Sequence, residues 1–176
     1  MNPFEVRDSL ESMTLLVDTR EQPTKRLEKR LNAIGLPHVR EKLDYGDYSC
    51  KMMLPNGTEF TMKDKVVIER KMNLDELCLC FGKDRARFER EFERAKADGC
   101  RIYLLVEDGN WEKSFNGSYR SLLQPQALTA SINAFRARYG MQVDFCKAET
   151  TGKLIREILW REAKEILTNM ELSYES

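Results

Sequence analysis

The chain has 176 residues, 41% of them hydrophobic and 33% charged, the balance of an ordinary globular domain rather than of a disordered or membrane-spanning chain. Its 29 basic residues cancel its 29 acidic ones, so no whole-molecule field draws it to nucleic acid and any such affinity must come from local charge. No apolar run approaches the roughly 20 residues that a bilayer span needs and the acidic opening MNPFEVRDSLE is no secretory signal, so the expectation is one domain over residues 1–176, core about 14–170, without a membrane partner, in the cytoplasm or, in a eukaryotic cell, the nucleus.

Thr14 to Asp18 (TLLVD) reads as a buried strand with a functional or capping residue at its end. Pro23 then opens a helix carrying Leu27, Leu31 and Ile34, which Gly35 and Pro37 stop. Asp47 to Leu54 and Thr58 to Arg70 are rich in strand formers and joined through Pro55-Asn56-Gly57, which predicts a β-hairpin. Asn73 with Glu76 three residues on marks the start of a helix whose apolar face is Leu74, Leu77 and Phe81. A longer helix from about Asp84 to Ala97 turns Phe88, Phe92 and Ala95 inward and its Arg, Lys and Glu residues outward.

Arg101 to Glu107 (RIYLLVE) is the strongest strand, Pro125 opens a helix with Leu128, Ile132 and Phe135 that Gly140 closes, Met141 to Cys146 is another strand, and Thr151 to about Met170 is a final amphipathic helix. Strands alternating with helices predict a layered α/β domain with a mixed central sheet flanked by helices. The five cysteines are an odd number without a C-x-x-C pair and are expected to be reduced and mostly buried. The single histidine, His38, has no second histidine to work with.

Most acidic residues sit on helix faces beside Lys or Arg, where a solvated face with weak ion pairs explains them. Four do not fit. Asp18 closes an apolar strand, at the edge where open α/β sheets bind ligands, although a helix-capping aspartate looks the same. Asp47 follows Gly46 at a strand start, as a site residue or as an ordinary turn aspartate. Val66-Val67-Ile68 runs straight into Glu69-Arg70-Lys71, and period-2 alternation sends Val67, Glu69 and Lys71 to one face. If Val67 points into the core, two charges are buried that persist only when paired or bound to a metal; otherwise the strand emerges into solvent. Asp75 lies one turn into the next helix, where a carboxylate also suits the helix N-terminus.

Taken together they form a coherent site. Asp47 and Glu69 can meet across the hairpin as hard oxygen ligands for Mg²⁺ or Mn²⁺, and Lys71 can orient or deprotonate an attacking water or stabilise a pentavalent phosphate. An aspartate followed on the next strand by Glu-x-Lys is the general shape of a PD-(D/E)XK nuclease site.

LLVDTREQ (15–22), LDYGDY (43–48) and VVIERKMNLDEL (66–77) resemble more narrowly the XPF-type nuclease domain, whose pattern is V-D-x-R-E, then G-D, then E-R-K-x-x-x-D. The helix GKDRARFEREFERAK and the strand RIYLLVED continue the likeness, which covers roughly residues 14 to 146. The resemblance implies a single restriction-endonuclease-like domain, Asp47 and Glu69 as metal ligands with the Arg70 carbonyl a candidate third, Lys71 as the catalytic lysine, and Asp18 and Asp75 as further acidic members. It gives Arg20 and Glu21 a supporting role and makes Lys83, Arg85 and Arg87 candidate contacts to the DNA backbone, for which Arg is suited by its bidentate fork; an exposed helix face balanced by Glu89 and Glu91 is the other reading. Tyr45 departs from the aliphatic residue more usual before the Gly-Asp step. About 30 residues follow the last strand, leaving no room for the tandem helix-hairpin-helix module with which family members grip branched DNA, so a separate DNA-binding subunit is one expectation.

The resemblance also implies a homodimer or heterodimer through the helices at 125–139 and 151–170, whose Leu128, Ile132, Phe135, Trp160 and Ile166 offer more apolar surface than one sheet face needs; burial within one chain explains them equally. The leading functional expectation is a metal-dependent DNA endonuclease acting on branched, flapped or single-strand-bearing DNA. The alternatives are a catalytically inactive DNA-binding scaffold and a nuclease for RNA or modified DNA.

Overall fold

The computed structural model describes residues 1–172. A mixed sheet of seven strands runs β2-β1-β3-β5-β6-β7, with β4 paired to β3 off that path. β1 (Thr14–Val17) lies parallel to β2 (His38–Arg40) and antiparallel to β3 (Tyr48–Met53); β3 lies antiparallel to β4 (Glu59–Thr61) and β5 (Val66–Lys71); β6 (Arg101–Glu107) and β7 (Gln142–Cys146) continue parallel to β5.

The sheet is covered on both faces, as expected of a layered α/β domain. On one side Val6 and Leu10 of α1 (Pro3–Glu11), Leu27 and Ile34 of α2 (Lys25–Ile34), and Ile155, Leu159, Ala163 and Leu167 of α7 (Ala148–Thr168) pack on Leu15, Val17, Tyr48, Ile68 and Leu105. On the other, α3 (Leu74–Phe81), α4 (Arg85–Ala97) and α6 (Pro125–Tyr139) pack on Val67, Ile102, Leu104 and Val106. Here Phe81, Phe88, Phe92 and Phe135 form a buried aromatic cluster, with Phe88 and Phe92 4.9 Å apart between ring centroids and Phe81 and Phe135 5.0 Å apart, spacings at which edge-to-face rings attract.

Local signals place the elements that carry the site. Asn73 caps α3 by accepting from the Glu76 amide, and the Glu76 carboxylate reaches back to the Met72 amide, so only Met72 and Asn73 separate the end of β5 from the start of α3. Gly35 and Gly140 end α2 and α6 in the left-handed conformation, for which glycine bears no steric penalty.

Several elements differ from the sequence expectation. The second arm of the hairpin divides into β4 and β5 because Lys65 and Val66 both donate to the Met62 carbonyl, turning the chain between them. Pro23 stands outside α2, whose cap is Thr24, and α7 begins at Ala148 rather than Thr151. Three short elements carry too weak a periodicity to be read: α1, the three-residue β2, and α5 (Trp111–Asn116). The five cysteines are free, four of them buried. Among the described residues no helix is long and apolar enough to cross a membrane.

The apolar residues expected to form a surplus on the last helices divide between the core and its margin. Leu128, Ile132 and Phe135 are all fully buried, and Trp160 and Ile166 pack against the core beneath α7. Leu128, Ile132 and Phe135 are thus accounted for within one chain, whereas Trp160 and Ile166 remain half-buried.

Candidate active site

Three chain segments are stitched together by their backbones where β1 ends and β3 begins. The Asp18 amide donates to the Asp47 carbonyl at 2.9 Å, and the Asp47 amide donates to the Ile68 carbonyl at 2.8 Å, which draws residue 47 alongside Glu69. Gly46 makes this approach sterically feasible: its φ is +64°, and a Cβ there would stand 2.9 Å from the Ile68 carbonyl oxygen and 3.0 Å from Val67 Cβ. Both the left-handed conformation and the close approach require glycine.

Alternation along β5 then sorts the three charges. Val67, Glu69 and Lys71 face the aromatic core, whereas Ile68 and Arg70 face α2 and α7. Glu69 and Lys71 are each only 8% exposed; the Lys71 ammonium donates to Glu69 Oε1 and lies 5.4 Å from the Phe88 ring centroid. Asp47 is half-buried, and its Oδ2 accepts from the Arg70 amide at 2.8 Å.

The electrostatics follow from this crowding. Burial, then the charges of Glu69 and Glu21, hold the Asp47 carboxyl well above the ordinary carboxylate value, against the Arg70 amide and Lys71. Burial also raises Glu69, with Lys71 pulling it down and Glu91 pushing it up. Burial acts to discharge Lys71, but the charge of Glu69 outweighs it and the ammonium is raised above its usual range. The neighbouring Glu69 carboxylate thus favours the charged form of Lys71. Asp18 is fully buried; burial pushes it up, yet hydrogen bonds from Arg20 and from the Leu43 and Arg20 amides leave its carboxyl below the ordinary value.

Arg20 bridges two of the segments: its Nε donates to Asp18 Oδ1 at 2.6 Å, and its Nη2 to the Gly46 carbonyl at 3.3 Å. Behind the sheet a second network supports the strand ends. The Arg70 guanidinium makes a two-pronged pair with Glu107, both bonds 2.8 Å, and Thr151 donates to the same carboxylate. Arg30 lies 3.8 Å from Glu107 and donates to the Tyr48 hydroxyl at 2.7 Å, and Tyr48 donates to Glu21 Oε2 at 2.7 Å.

The structure thus gathers Asp18, Arg20, Glu21, Asp47, Glu69, Arg70 and Lys71. Asp75 is turned elsewhere: its carboxylate accepts from the Arg120 and Ser121 amides at 2.7 and 2.8 Å and pairs with the Arg120 side chain, so it anchors the loop between α5 and α6. Of the cations assigned to DNA, Lys83 and Arg87 are exposed, the latter 3.6 Å from Asp84, whereas Arg85 is tied to Ser131 and Glu89.

Four participants escaped the sequence reading. Arg30 sits on the buried stripe of α2 between Leu27 and Ile34, and a charge on an apolar stripe is the signal that marks it. Glu107 ends an apolar strand as Asp18 does. Tyr48 looks like any aromatic strand residue. Glu91 follows inward-facing Phe88 by three residues, and its Oε1 accepts from the Gly46 amide at 3.1 Å.

Among the described residues no three His, Cys, Asp or Glu side chains are arranged to hold a metal ion together. The residues that could hold a divalent cation are Asp47 and Glu69: both are hard oxygen donors whose carboxyls burial raises, and Glu69 is already paired with Lys71.

The fold has solved counterparts. XPF from Aeropyrum pernix is 19% identical with a TM-score of 0.63, the match covering 93% of this chain and 67% of that one. XPF from Aeropyrum pernix in complex with DNA is 19% identical with a TM-score of 0.58, covering 86% and 65%. At this identity the likeness establishes the XPF nuclease fold, and the chain spans about two thirds of the length of each. No curated protein matches the chain. The ERCC4 domain family matches residues 17–158, a span that opens beside Asp18, contains every residue of the assembled site and ends within α7. The motifs V-D-x-R-E, G-D and E-R-K-x-x-x-D, the sheet that brings their charged residues together and this match over most of the sequence agree: the chain belongs to the ERCC4 domain family.

Proposed function

We propose that the chain is a metal-dependent DNA endonuclease domain that hydrolyses phosphodiester bonds at Asp47, Glu69 and Lys71. The observation that carries the reading is a pair of crowded carboxylates beside a buried lysine that is held charged, on a strand end where structural residues have no need of such charges.

Asp47 and Glu69 would hold Mg²⁺ or Mn²⁺, which supplies Lewis-acid polarisation of the scissile phosphate and an acidified water when bound. Glu69 also accepts from Lys71, so the same carboxylate would join the cation to the lysine. Lys71, held charged by the neighbouring Glu69, would donate to the phosphate oxygens as charge builds on them. The Arg70 amide holds the Asp47 carboxylate, Arg20 holds the Gly46 carbonyl just before it, Lys71 holds Glu69, and Glu107 fixes Arg70 from behind the sheet.

DNA as the substrate is supported by the family and by the DNA complex of the structurally similar XPF from Aeropyrum pernix. With no net charge on the chain, binding would rest on local cations such as exposed Lys83 and Arg87, with branched or single-strand-bearing DNA as the substrate class that the motif resemblance suggests. One observation favours a non-catalytic scaffold instead, the lack of a third metal-ligating side chain grouped with Asp47 and Glu69 among the described residues. Mg²⁺ meets this objection because it usually takes one or two carboxylates and fills its shell with water and phosphate oxygens.

The test is incubation with Mg²⁺ or Mn²⁺ on duplex, flap, fork, Holliday-junction and single-stranded DNA and on RNA, beside a Glu69→Ala, Lys71→Ala double variant. Cutting by the native protein that the variant lacks supports the enzyme. Binding without cutting in either metal supports the scaffold.

A further inference from the structure

The peptide that delivers Asp47 is held by four hydrogen bonds of known origin. The Asp47 amide and carbonyl are bound by Ile68 and Asp18 of the neighbouring strands, and the Gly46 carbonyl accepts from Arg20. The fourth comes from outside the sheet: the Gly46 amide donates to Glu91 Oε1 on α4 at 3.1 Å. Glu91 is half-buried, and its charge acts on both Arg20 and Glu69. Its backbone is fixed independently, because Phe88, Phe92 and Ala95 anchor α4 in the aromatic core.

We propose that Glu91 is a positioning residue of the active site: with Arg20 it grips the Gly46 peptide from its amide and carbonyl sides, and so sets the distance between the Asp47 and Glu69 carboxylates. A glycine in the left-handed region has little steric restraint of its own, so this turn needs external partners to keep one geometry. Residues that orient a metal's ligands without touching the metal typically contribute 10- to 100-fold to affinity or activity. The role requires an acceptor oxygen at this place, not a negative charge, and that distinction makes it testable.

This inference rests on the reading of Asp47 and Glu69 as cation ligands. The experiment compares native protein with Glu91→Ala, Glu91→Gln and Asp47→Ala, measuring Mn²⁺ affinity by calorimetric titration, and kcat and KM on whichever DNA of the panel the native protein cuts. Glutamine keeps the acceptor oxygen and alanine removes it. The expected result is Mn²⁺ affinity and kcat about 10- to 100-fold lower in Glu91→Ala, KM for DNA nearly unchanged, and Glu91→Gln restored to within about threefold of native. If Glu91→Ala matches native while Asp47→Ala abolishes Mn²⁺ binding, the positioning role is overturned and the site reading stands. Equal damage from Gln and Ala also overturns it, because charge would then be the requirement. Native protein that binds no Mn²⁺ overturns both.

Discussion

At the scale of single residues the site is a set of charges that the fold holds against their solvation preference. Lys71 is 8% exposed and its ammonium is kept charged by Glu69, so the account expects Lys71→Met to lower kcat by about 10²- to 10³-fold, the range for removing one preorganised donor, with DNA binding measured by anisotropy little changed. Asp18 carries the opposite sign. Its folded value lies below the ordinary one, so its contribution to stability is complete above the unfolded value of about 4 and is lost as pH falls through the lower folded value. Asp18→Asn is therefore expected to lower the thermal midpoint at pH 7 and to flatten the fall of that midpoint between pH 5 and about pH 2. A variant whose acid limb parallels that of the native protein would contradict this. Glu69 and Lys71 stood out in the sequence because they follow an apolar strand run, Asp47 because it is a poor strand former at a strand start after Gly46, and Asp18 because it closes an apolar strand and matches the family motif. Arg30 carried a signal too, a charge on the apolar stripe of α2; Glu91 did not, because a charge beside the apolar face of a helix is indistinguishable from a solvated one until the neighbouring strand is in place. Asp75 was named from the family resemblance, and its carboxylate binds the loop at Arg120 and Ser121.

At the scale of elements, strand periodicity and cap chemistry found the elements that position the site, and lost those whose existence depends on tertiary contacts. β2 is three exposed residues that form a strand because β1 offers them a parallel edge. The Met62 turn that divides the hairpin arm is marked in the sequence only by Lys63-Asp64-Lys65, poor strand formers between two strand-forming runs. Helix contacts also invert a familiar rule. A glycine inside a helix usually costs about 0.5–1 kcal/mol relative to alanine, which would make Gly152→Ala in α7 stabilising. A Cβ at Gly152 would lie 2.7 Å from Ala33 Cβ and 2.9 Å from the Arg30 carbonyl of α2. The account expects overpacking to win and Gly152→Ala to lose about 1–3 kcal/mol in urea denaturation; a gain in stability would show that α2 and α7 part more easily than their packing implies.

At the scale of the whole molecule, a sheet with two covered faces gives two cores, and the site is formed by strand ends that both cores hold. Phe135 is fully buried and in ring contact with Phe81, Phe88, Phe92 and Tyr139. Phe135→Ala is expected to cost about 3–5 kcal/mol and, because Phe88 also packs on Lys71, to weaken activity before the chain unfolds; equilibrium unfolding monitored alongside cleavage checks both. Layered architecture and family were legible from strand–helix alternation and three motifs, whereas the distribution of apolar surface between core and interface was not, since helix periodicity reports that a face is apolar but not what covers it. The central claim is that Asp47 and Glu69 share one divalent cation. Crystals grown with Mn²⁺ test it most directly by anomalous scattering. The account expects a single strong peak within bonding distance of an oxygen from each carboxylate, absent from Asp47→Ala crystals; a native site whose carboxylates bind only Lys71 and Arg70, with no peak between them, would contradict it.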